Sequence, residues 1–237
     1  MARPPCSPRA VLWDMDGTLV DSADYHYRAW QAAMAELGRG LSRAEFAATF
    51  GQRNDAILRR YLGPQVTPED IQRIGGAKEA HYRALVSAGG MVALPGVREW
   101  LARLHTAGWR QAIASSGPRL NAAAIMDALG LRATFDAVIT AEDAVHGKPD
   151  PEVFLVAAAR LGVDPVCCVV VEDAPTGIEA GRRGGMRTLG VLTTHPHLDA
   201  DRVVRSLAEL EEDAFERLLD DADRAATAAE RITDGNH

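Results

Sequence analysis

Residues 10–22 read A-V-L-W-D-M-D-G-T-L-V-D-S. Ala10 to Trp13 is a short apolar run without helical period. It stops at two aspartates one residue apart, followed by Gly17, the pattern of a buried strand ending in a turn. Side chains alternate along a strand, but the chain begins to coil where the strand stops. Asp14 and Asp16 can therefore both lean over the crevice at its carboxyl end. Gly17 allows the tight turn, and Thr18 adds a hydroxyl. Two carboxylates this close repel, so the pair implies either a hard, oxygen-liganded cation such as Mg²⁺ or one raised pKa. D-x-D-G-T is also an ordinary composition for a solvated turn, so the chemical reading depends on what the other strand ends carry.

The 237 residues suffice for one large domain with an insertion or for two modest ones, and 47% hydrophobic with 25% charged residues is a globular balance. Lys plus Arg is 26 against 33 for Asp plus Glu, a net charge of −7 that argues against a general nucleic-acid or anionic-membrane binder. An anionic small substrate stays open if positive charge is gathered locally. Cys6, Cys167 and Cys168 are odd in number and lack metal-ligand spacing. They predict no disulfide framework, a reducing cytoplasm, and Cys167 and Cys168 on opposite sides of one strand. The amino terminus lacks the apolar stretch of a signal peptide, and no run approaches the roughly 18 apolar residues of a membrane span.

After Asp21 the period becomes helical, with Tyr25, Ala29, Ala32, Ala33 and Leu37 on one face, Ser22 placed to cap the helix and Gly38 and Gly40 to close it. Further helices are predicted over 42–50, 54–61 and 68–88, and nothing there reads as strand. From Pro95 onward the two patterns alternate: strands at 110–114, 137–140, 166–171, 186–191 and 203–204, with helices at 96–107, 120–129, 151–161 (capped by Asp150) and 176–184. Alternation with short links implies an α/β fold, a Rossmann-like doubly wound parallel sheet, with the helical stretch inserted. The expected division is a core of 1–21 with 91–210, a helical insertion of 22–90, and a C-terminal helix and tail of 211–237. Two chain passages into one lobe, at 20–21 and 91–95, form a natural hinge. Phe215, Leu218 and Leu219 give the tail a weak apolar stripe, read as a surface helix that frays over 227–237.

Ligands of such sheets bind outside the carboxyl ends of the strands, and four ends carry polar residues. Asp14 and Asp16 follow the first strand, Ser115 and Ser116 the second, Lys148 lies in the loop after the third, and Glu172 with Asp173 ends the fourth. Asp14, Asp173 and Glu172 would hold Mg²⁺ by oxygen. Ser115, Ser116, Lys148 and the Thr18 hydroxyl would hold phosphoryl oxygens, and one carboxylate would be free to attack. A carboxylate can attack a phosphate only if both negative charges are screened, which a divalent cation and the Lys148 ammonium would accomplish together. Taken singly, each group has an ordinary structural reading as a turn hydroxyl, a surface lysine or a helix-start carboxylate. Their joint order along one alternating chain points to a site.

D-M-D-G-T (14–18), A-S-S (114–116), G-K-P-D-P (147–151) and V-V-V-E-D-A-P-T-G-I-E-A (169–180) resemble the four signature motifs of the haloacid dehalogenase-like superfamily. The branch is the one with a helical cap inserted after the first motif, and the likeness runs from residue 10 to about residue 210. The resemblance implies that Asp14 is the nucleophile that forms an aspartyl-phosphate. It implies that Asp16 is the general acid and base and lends Mg²⁺ its main-chain carbonyl. Ser115 and Lys148 resemble the phosphate-binding pair, and Asp173 the metal ligand, with Glu172 a direct or water-mediated partner. An aspartate at position 16 argues for phosphoryl transfer, because dehalogenases of this superfamily lack that acid.

D-S-A-D-Y-H-Y-R-A-W (21–30), G-Q-R-N-D (51–55) and K-E-A-H-Y (78–82) are similar to the β-phosphoglucomutase subfamily, in which a cap histidine, arginine and lysine face the active site. The matching positions are His26, Arg53 and Lys78. A net-acidic protein that takes an anionic sugar phosphate gains from placing its cations on a closing lid. The mutases follow the second motif with a polar, basic segment that grips the second phosphate of a bisphosphate intermediate. Here Gly117, Pro118 and Arg119 stand there, and only Arg119 offers a side-chain donor. The expectation is a cytoplasmic, Mg²⁺-dependent phosphatase of small phosphorylated metabolites, sugar phosphates first. A phosphohexose mutase is the alternative, and a non-catalytic binding protein a distant one. No nucleic-acid or membrane partner is expected, and the chain is read as a monomer or weak homodimer.

Overall fold

A computed structural model describes residues 6–220. β1 (Ala10–Trp13) lies inside a six-stranded, wholly parallel sheet. On one side are β2 (Arg110–Ala114) and β3 (Ala137–Ile139); on the other are β4 (Cys168–Glu172), β5 (Arg187–Val191) and β6 (Arg202–Val204). Trp13 stands opposite Ile113 on one neighbour and Val171 on the other. The period of two sorts residues between two cores. Val11, Trp13, Ile113, Val169 and Val171 belong to one; Ala10, Leu12, Ala112, Ala114, Cys168 and Val170 belong to the other. Strands buried on both faces need apolar residues at every position, hence the unbroken apolar runs of β1 and of Cys168–Val171 in β4.

α5 (Val97–Thr106) and α6 (Arg119–Leu129) cover the first face through Trp100, Leu101, Leu104, Ile125 and Leu129. α7 (Glu152–Leu161) covers the second through Val153, Phe154 and Ala157, joined there by α8 (Pro175–Arg183). The chain winds outward from β1 to β3, then returns to start β4 on the opposite flank of β1. This reversal opens a crevice at the carboxyl ends of β1, β2 and β4, and the common register puts Asp14, Ser115 and Glu172 on its rim.

Between β1 and α5 lie α1 (Ala23–Ala35), α2 (Arg43–Ala47), α3 (Asn54–Leu62) and α4 (Pro68–Ser87). Ser42 with Glu45 and Thr67 with Asp70 form capping boxes that satisfy the first amides of α2 and α4. Trp30, Met34, Phe46, Ile57, Leu58 and Ile74 make a separate small core among these helices. The two passages into this segment bond to each other, Leu94 N–H donating to Leu19 O at 3.0 Å beside a bridge between Val20 and Ala93. No described helix is long and apolar enough to cross a membrane.

The α1 face is the predicted one, widened: Ala29 and Ala33 are buried and Tyr25 and Leu37 pack on the cores, with Trp30 and Met34 added to the small core. Three local expectations are corrected. Ser22 makes no capping bond, its hydroxyl donating to Asp16 instead. The C-terminal stripe is not on the surface: residues 214–220 are helical and Ala214, Phe215, Leu218 and Leu219 are buried. The Phe215 ring centroid sits 6.1, 4.9 and 6.0 Å from those of Trp13, Trp100 and Trp109, partners too distant in sequence for a local pattern to reveal. The expected fraying over 227–237 lies outside the described residues. Finally, Cys6 and Cys167 form a disulfide, with Cα atoms 5.3 Å apart across 161 residues. Cys167 closes a 3-10 turn (Pro165–Cys167), and only Cys168 enters β4, so the two do not alternate on one strand. The inference of a reducing compartment from unpaired cysteines falls with this bond.

Candidate active site

Asp14 is the first residue past β1, and its N–H still donates to Val171 O at 2.9 Å, so the sheet holds its backbone. The chain then turns on Gly17 at φ +88°. A side chain there would run into the Asp173 carboxylate, whose Cγ lies 2.5 Å from the position a Cβ would take. Both the sign of φ and the space require glycine.

Lys148 reaches in from the loop after β3. Its ammonium is held by Asp14 Oδ1 at 2.5 Å, Glu172 Oε1 at 2.8 Å and Ala114 O at 3.0 Å. An ammonium has three protons, and here protein acceptors take all of them. Lys148 is thus anchored between Asp14 and Glu172 with its ammonium on the cavity. Burial acts to lower its pKa, but Asp14 and Glu172 hold it above the ordinary lysine range. Glu172 is buried and spends its second oxygen on the N–H groups of Asp173 and Ala174, at 2.9 and 2.8 Å. Asp173 Oδ2 accepts from the Thr194 hydroxyl, and His195 Nδ1 stands 3.1 Å from Asp173 O.

Oxygens of Asp14, Glu172 and Asp173 lie within 4.8 Å of one another. Burial, opposed by Lys148 and assisted by Glu172, raises Asp14 to about 8. Burial with the charges of Glu172 and Asp14 raises Asp173 to about 9. Such crowding of negative charge on hard oxygen donors fits a divalent cation of the Mg²⁺ kind. Asp14 Oδ2 and Asp173 Oδ1 make no hydrogen bond among the described residues, the first open to attack an electrophile and the second to ligate, whereas both Glu172 oxygens are engaged. The Asp16 side chain stands apart from this group.

Asp16 Oδ1 accepts the Ser22 hydroxyl at 2.5 Å and lies 3.2 Å from His26 Nε2. The His26 ring stacks on Tyr82 with centroids 4.0 Å apart, and its Nδ1 is 2.9 Å from Lys78 Nζ. An ammonium can only donate, so Nδ1 accepts and the ring proton sits on Nε2, facing Asp16. Burial pushes Asp16 up, but His26, Ser22 and Lys78 outweigh it and hold the carboxyl at about 2. His26 itself is lowered, by burial and then by Lys78, so at neutral pH it binds Asp16 as a neutral donor.

Asp14, Asp16, Ser115, Ser116 and Lys148 from the sheet rim, with His26, Arg53 and Lys78 from the helices, line one cavity of about 810 Å³. Arg53 lays its stem across Gly147, where a Cβ would come within 2.9 Å of Arg53 Cδ. Lys78 is only 3% exposed and already bonded to His26 and Glu79. The structure does not bring Thr18 to the cavity: it is fully buried, and its hydroxyl has no partner among the described residues, because the turn at Gly17 carries it under the loop. Arg119 is drawn off as well, its guanidinium pairing with both Asp143 oxygens at 2.8 Å. Ser22, Glu79, Asn121, Thr194 and His195 were not legible from the sequence as site groups; of these, only Glu79 carried a signal, its place next to Lys78.

A family model of haloacid dehalogenase-like hydrolases matches residues 8–185. The chain is 32% identical to a β-phosphoglucomutase of Bacillus subtilis (strain 168) over 208 residues, 85% of this chain and 91% of that one. It is 34% identical to hexitol phosphatase B of Escherichia coli (strain K12) over 212 residues, covering 85% and 93%. Its fold resembles the crystal structure of a CbbY variant from Rhodobacter sphaeroides in complex with xylulose-1,5-bisphosphate, with TM-score 0.79, 28% identity and coverage of 86% and 96%.

Proposed function

The chain belongs to the haloacid dehalogenase-like hydrolases, and on that footing we propose that it is a Mg²⁺-dependent phosphatase of small phosphorylated metabolites, sugar phosphates foremost, acting through an aspartyl-phosphate. Relatives named for a phosphoglucomutase, a hexitol phosphatase and a fructose-1-phosphate phosphatase support the substrate class. The observation that carries the reaction is the pairing of two carboxylates on one cavity, each with one oxygen held and the other free: Asp14 held by Lys148, Asp16 by Ser22 and His26.

Asp14 Oδ2 attacks phosphorus while Lys148 fixes the other oxygen. Asp16 is ionised in the free protein, and the negative charge of a bound phosphate pushes its pKa up. A proton taken up with the substrate then sits on Oδ2 and passes to the leaving oxygen as the P–O bond breaks. Water replaces the leaving alcohol, gives its proton to Asp16, and attacks the aspartyl-phosphate to release phosphate and restore Asp14. Asp14 and Asp173, with the Asp16 main-chain carbonyl, would hold a Mg²⁺ that screens the phosphate charge from Asp14. Residues 22–90 act as a cap domain that excludes bulk water in the first step, hinged where the chain crosses at 20–21 and 91–95.

Hydrolysis is preferred to mutase chemistry because the cavity wall after β2 presents Gly117 and Pro118 while Arg119 is spent on Asp143. The test is a Mg²⁺-dependent assay on β-glucose 1-phosphate with a bisphosphate primer, measuring free phosphate and glucose 6-phosphate together. Free phosphate as the main product, lost in Asp14→Asn, supports the phosphatase. Glucose 6-phosphate without stoichiometric phosphate assigns the mutase instead, and full activity in Asp14→Asn refutes the mechanism.

A further inference from the structure

Glu79 is a buried carboxylate that the mechanism above does not use. It sits on α4, and besides its neighbour Lys78 its side chain reaches groups on two other helices, α3 and α6. Oε1 accepts from Lys78 Nζ at 2.9 Å and from Asn54 Nδ2, at the start of α3, at 2.7 Å. Oε2 accepts from Asn121 Nδ2 at 2.5 Å. Asn121 belongs to α6, on the sheet side of the cavity, and its own carbonyl is fixed by Arg83 at 3.2 Å. Room for this meeting is built in: Asn54 lies over Gly75, where a Cβ would stand 3.4 Å from its Nδ2.

Every neighbour of Glu79 in this network is a donor, so only an acceptor at both oxygens satisfies it. The Lys78 ammonium that it anchors lies between the faces of Trp30 and Tyr82, 5.4 and 5.5 Å from their centroids, and donates onward to His26 Nδ1. That bond sets the His26 tautomer and so aims an Nε2 proton at Asp16. A continuous chain of bonds thus runs from Asn121 on one side of the cavity, through Glu79, Lys78 and His26 on the other, to Asp16.

We propose that Glu79 is a positioning residue for the proton-transfer step, latching the helical segment to α6 and, through Lys78 and His26, holding Asp16 in place for the leaving group. This rests on Asp16 acting as the acid in the proposed reaction. Without Glu79, Lys78 loses its anchor and the Asn54 and Asn121 amides lose their acceptor. With the segment unlatched, Asp16 Oδ1 keeps Ser22 but not an oriented His26.

The test uses leaving-group dependence, which a merely structural role does not move. Glu79→Gln, Asp16→Asn and the parent enzyme are compared on an alkyl phosphate, whose alkoxide must be protonated to leave, and on 4-nitrophenyl phosphate, whose phenolate leaves unaided. The quantity is kcat/KM, which reports the steps up to loss of the leaving group. Glu79→Gln is expected to lose about tenfold on the alkyl ester and no more than about twofold on the nitrophenyl ester, a fraction of the general-acid contribution. Asn121→Ala breaks the chain at its far end and is expected to do the same, which covers the case that Glu79→Gln does not fold. Equal losses on both esters, or none, in Glu79→Gln and Asn121→Ala overturn the proposal. If Asp16→Asn also lacks leaving-group dependence, the fault lies with the role given to Asp16 and not with the latch.

Discussion

Gly177→Ala separates this structure from a generic helix. Gly177 is the third residue of α8 and has no positive φ. At an open helical position, replacing glycine by alanine stabilises by about 1 kcal/mol. Here the new Cβ would fall inside the Glu172 carboxylate, with Cγ only 2.6 Å away. Glu172 is 1% exposed and has nowhere to go without releasing Lys148 and the two loop amides it holds. Leaving a buried charge without its partner costs about 3–5 kcal/mol, so after the helix gain the net loss is about 2–4 kcal/mol. For a chain of this length that is a fall in Tm of roughly 5–15 °C. Activity should fall about a hundredfold or more, since Lys148 no longer fixes Asp14. Gly76→Ala in α4, where nothing lies within 4 Å, is the control and should melt slightly higher. Thermal unfolding alongside a phosphate-release assay measures both variants. A Gly177→Ala protein that melts at or above the parent and keeps its activity would refute the packing argued for Glu172.

Thr194 donates to Asp173 Oδ2 and so leaves Oδ1 for the proposed cation. Thr194→Val should therefore weaken Mg²⁺ binding about tenfold by calorimetry, with Thr194→Ser close to the parent. Unchanged affinity in the valine variant would exclude Thr194 from that role. Phe215→Ala removes a ring packed against Trp13, Trp100 and Trp109, and should cost about 3–5 kcal/mol in urea unfolding; a loss below about 1 kcal/mol would return the C-terminal helix to the surface. Burial and then Asp164 push the Cys168 thiol up to about 12. A thiol reagent at pH 8 should find no reactive group in the native protein, one in denaturant, and three only after reduction. Three without reductant would show that Cys6 and Cys167 are not joined.

The parallel sheet could be read from the chain because each determinant is local. The runs at 10–13 and 168–171 are apolar at every position, which only a strand covered on both faces requires, 110–114 is apolar from Ala112 onward, and the helices between them end at glycines. Asp14, Asp16, Ser115, Lys148 and Glu172 with Asp173 could be read for the same reason. Parallel strands in common register bring their carboxyl ends to one rim, so position relative to a strand end already implies proximity.

Other features were decided by contacts between residues far apart in the chain. Ser22 looks like a helix cap but bonds Asp16, and Thr18 looks like a phosphate ligand but is buried beneath its own turn. Cys6 meets Cys167 only because the residues before β1 run back beside the start of β4. Phe215 is buried because three tryptophans converge on it, although Asp213, Glu216 and Arg217 beside it in sequence are charged. Which acceptors hold the ammonium groups of Lys148 and Lys78 depends on distances no local pattern encodes. Periodicity and turn chemistry are written in a few adjacent residues and so determine elements and their order. Hydrogen-bond partners and burial depend on where those elements meet, and only the tertiary structure assigns them.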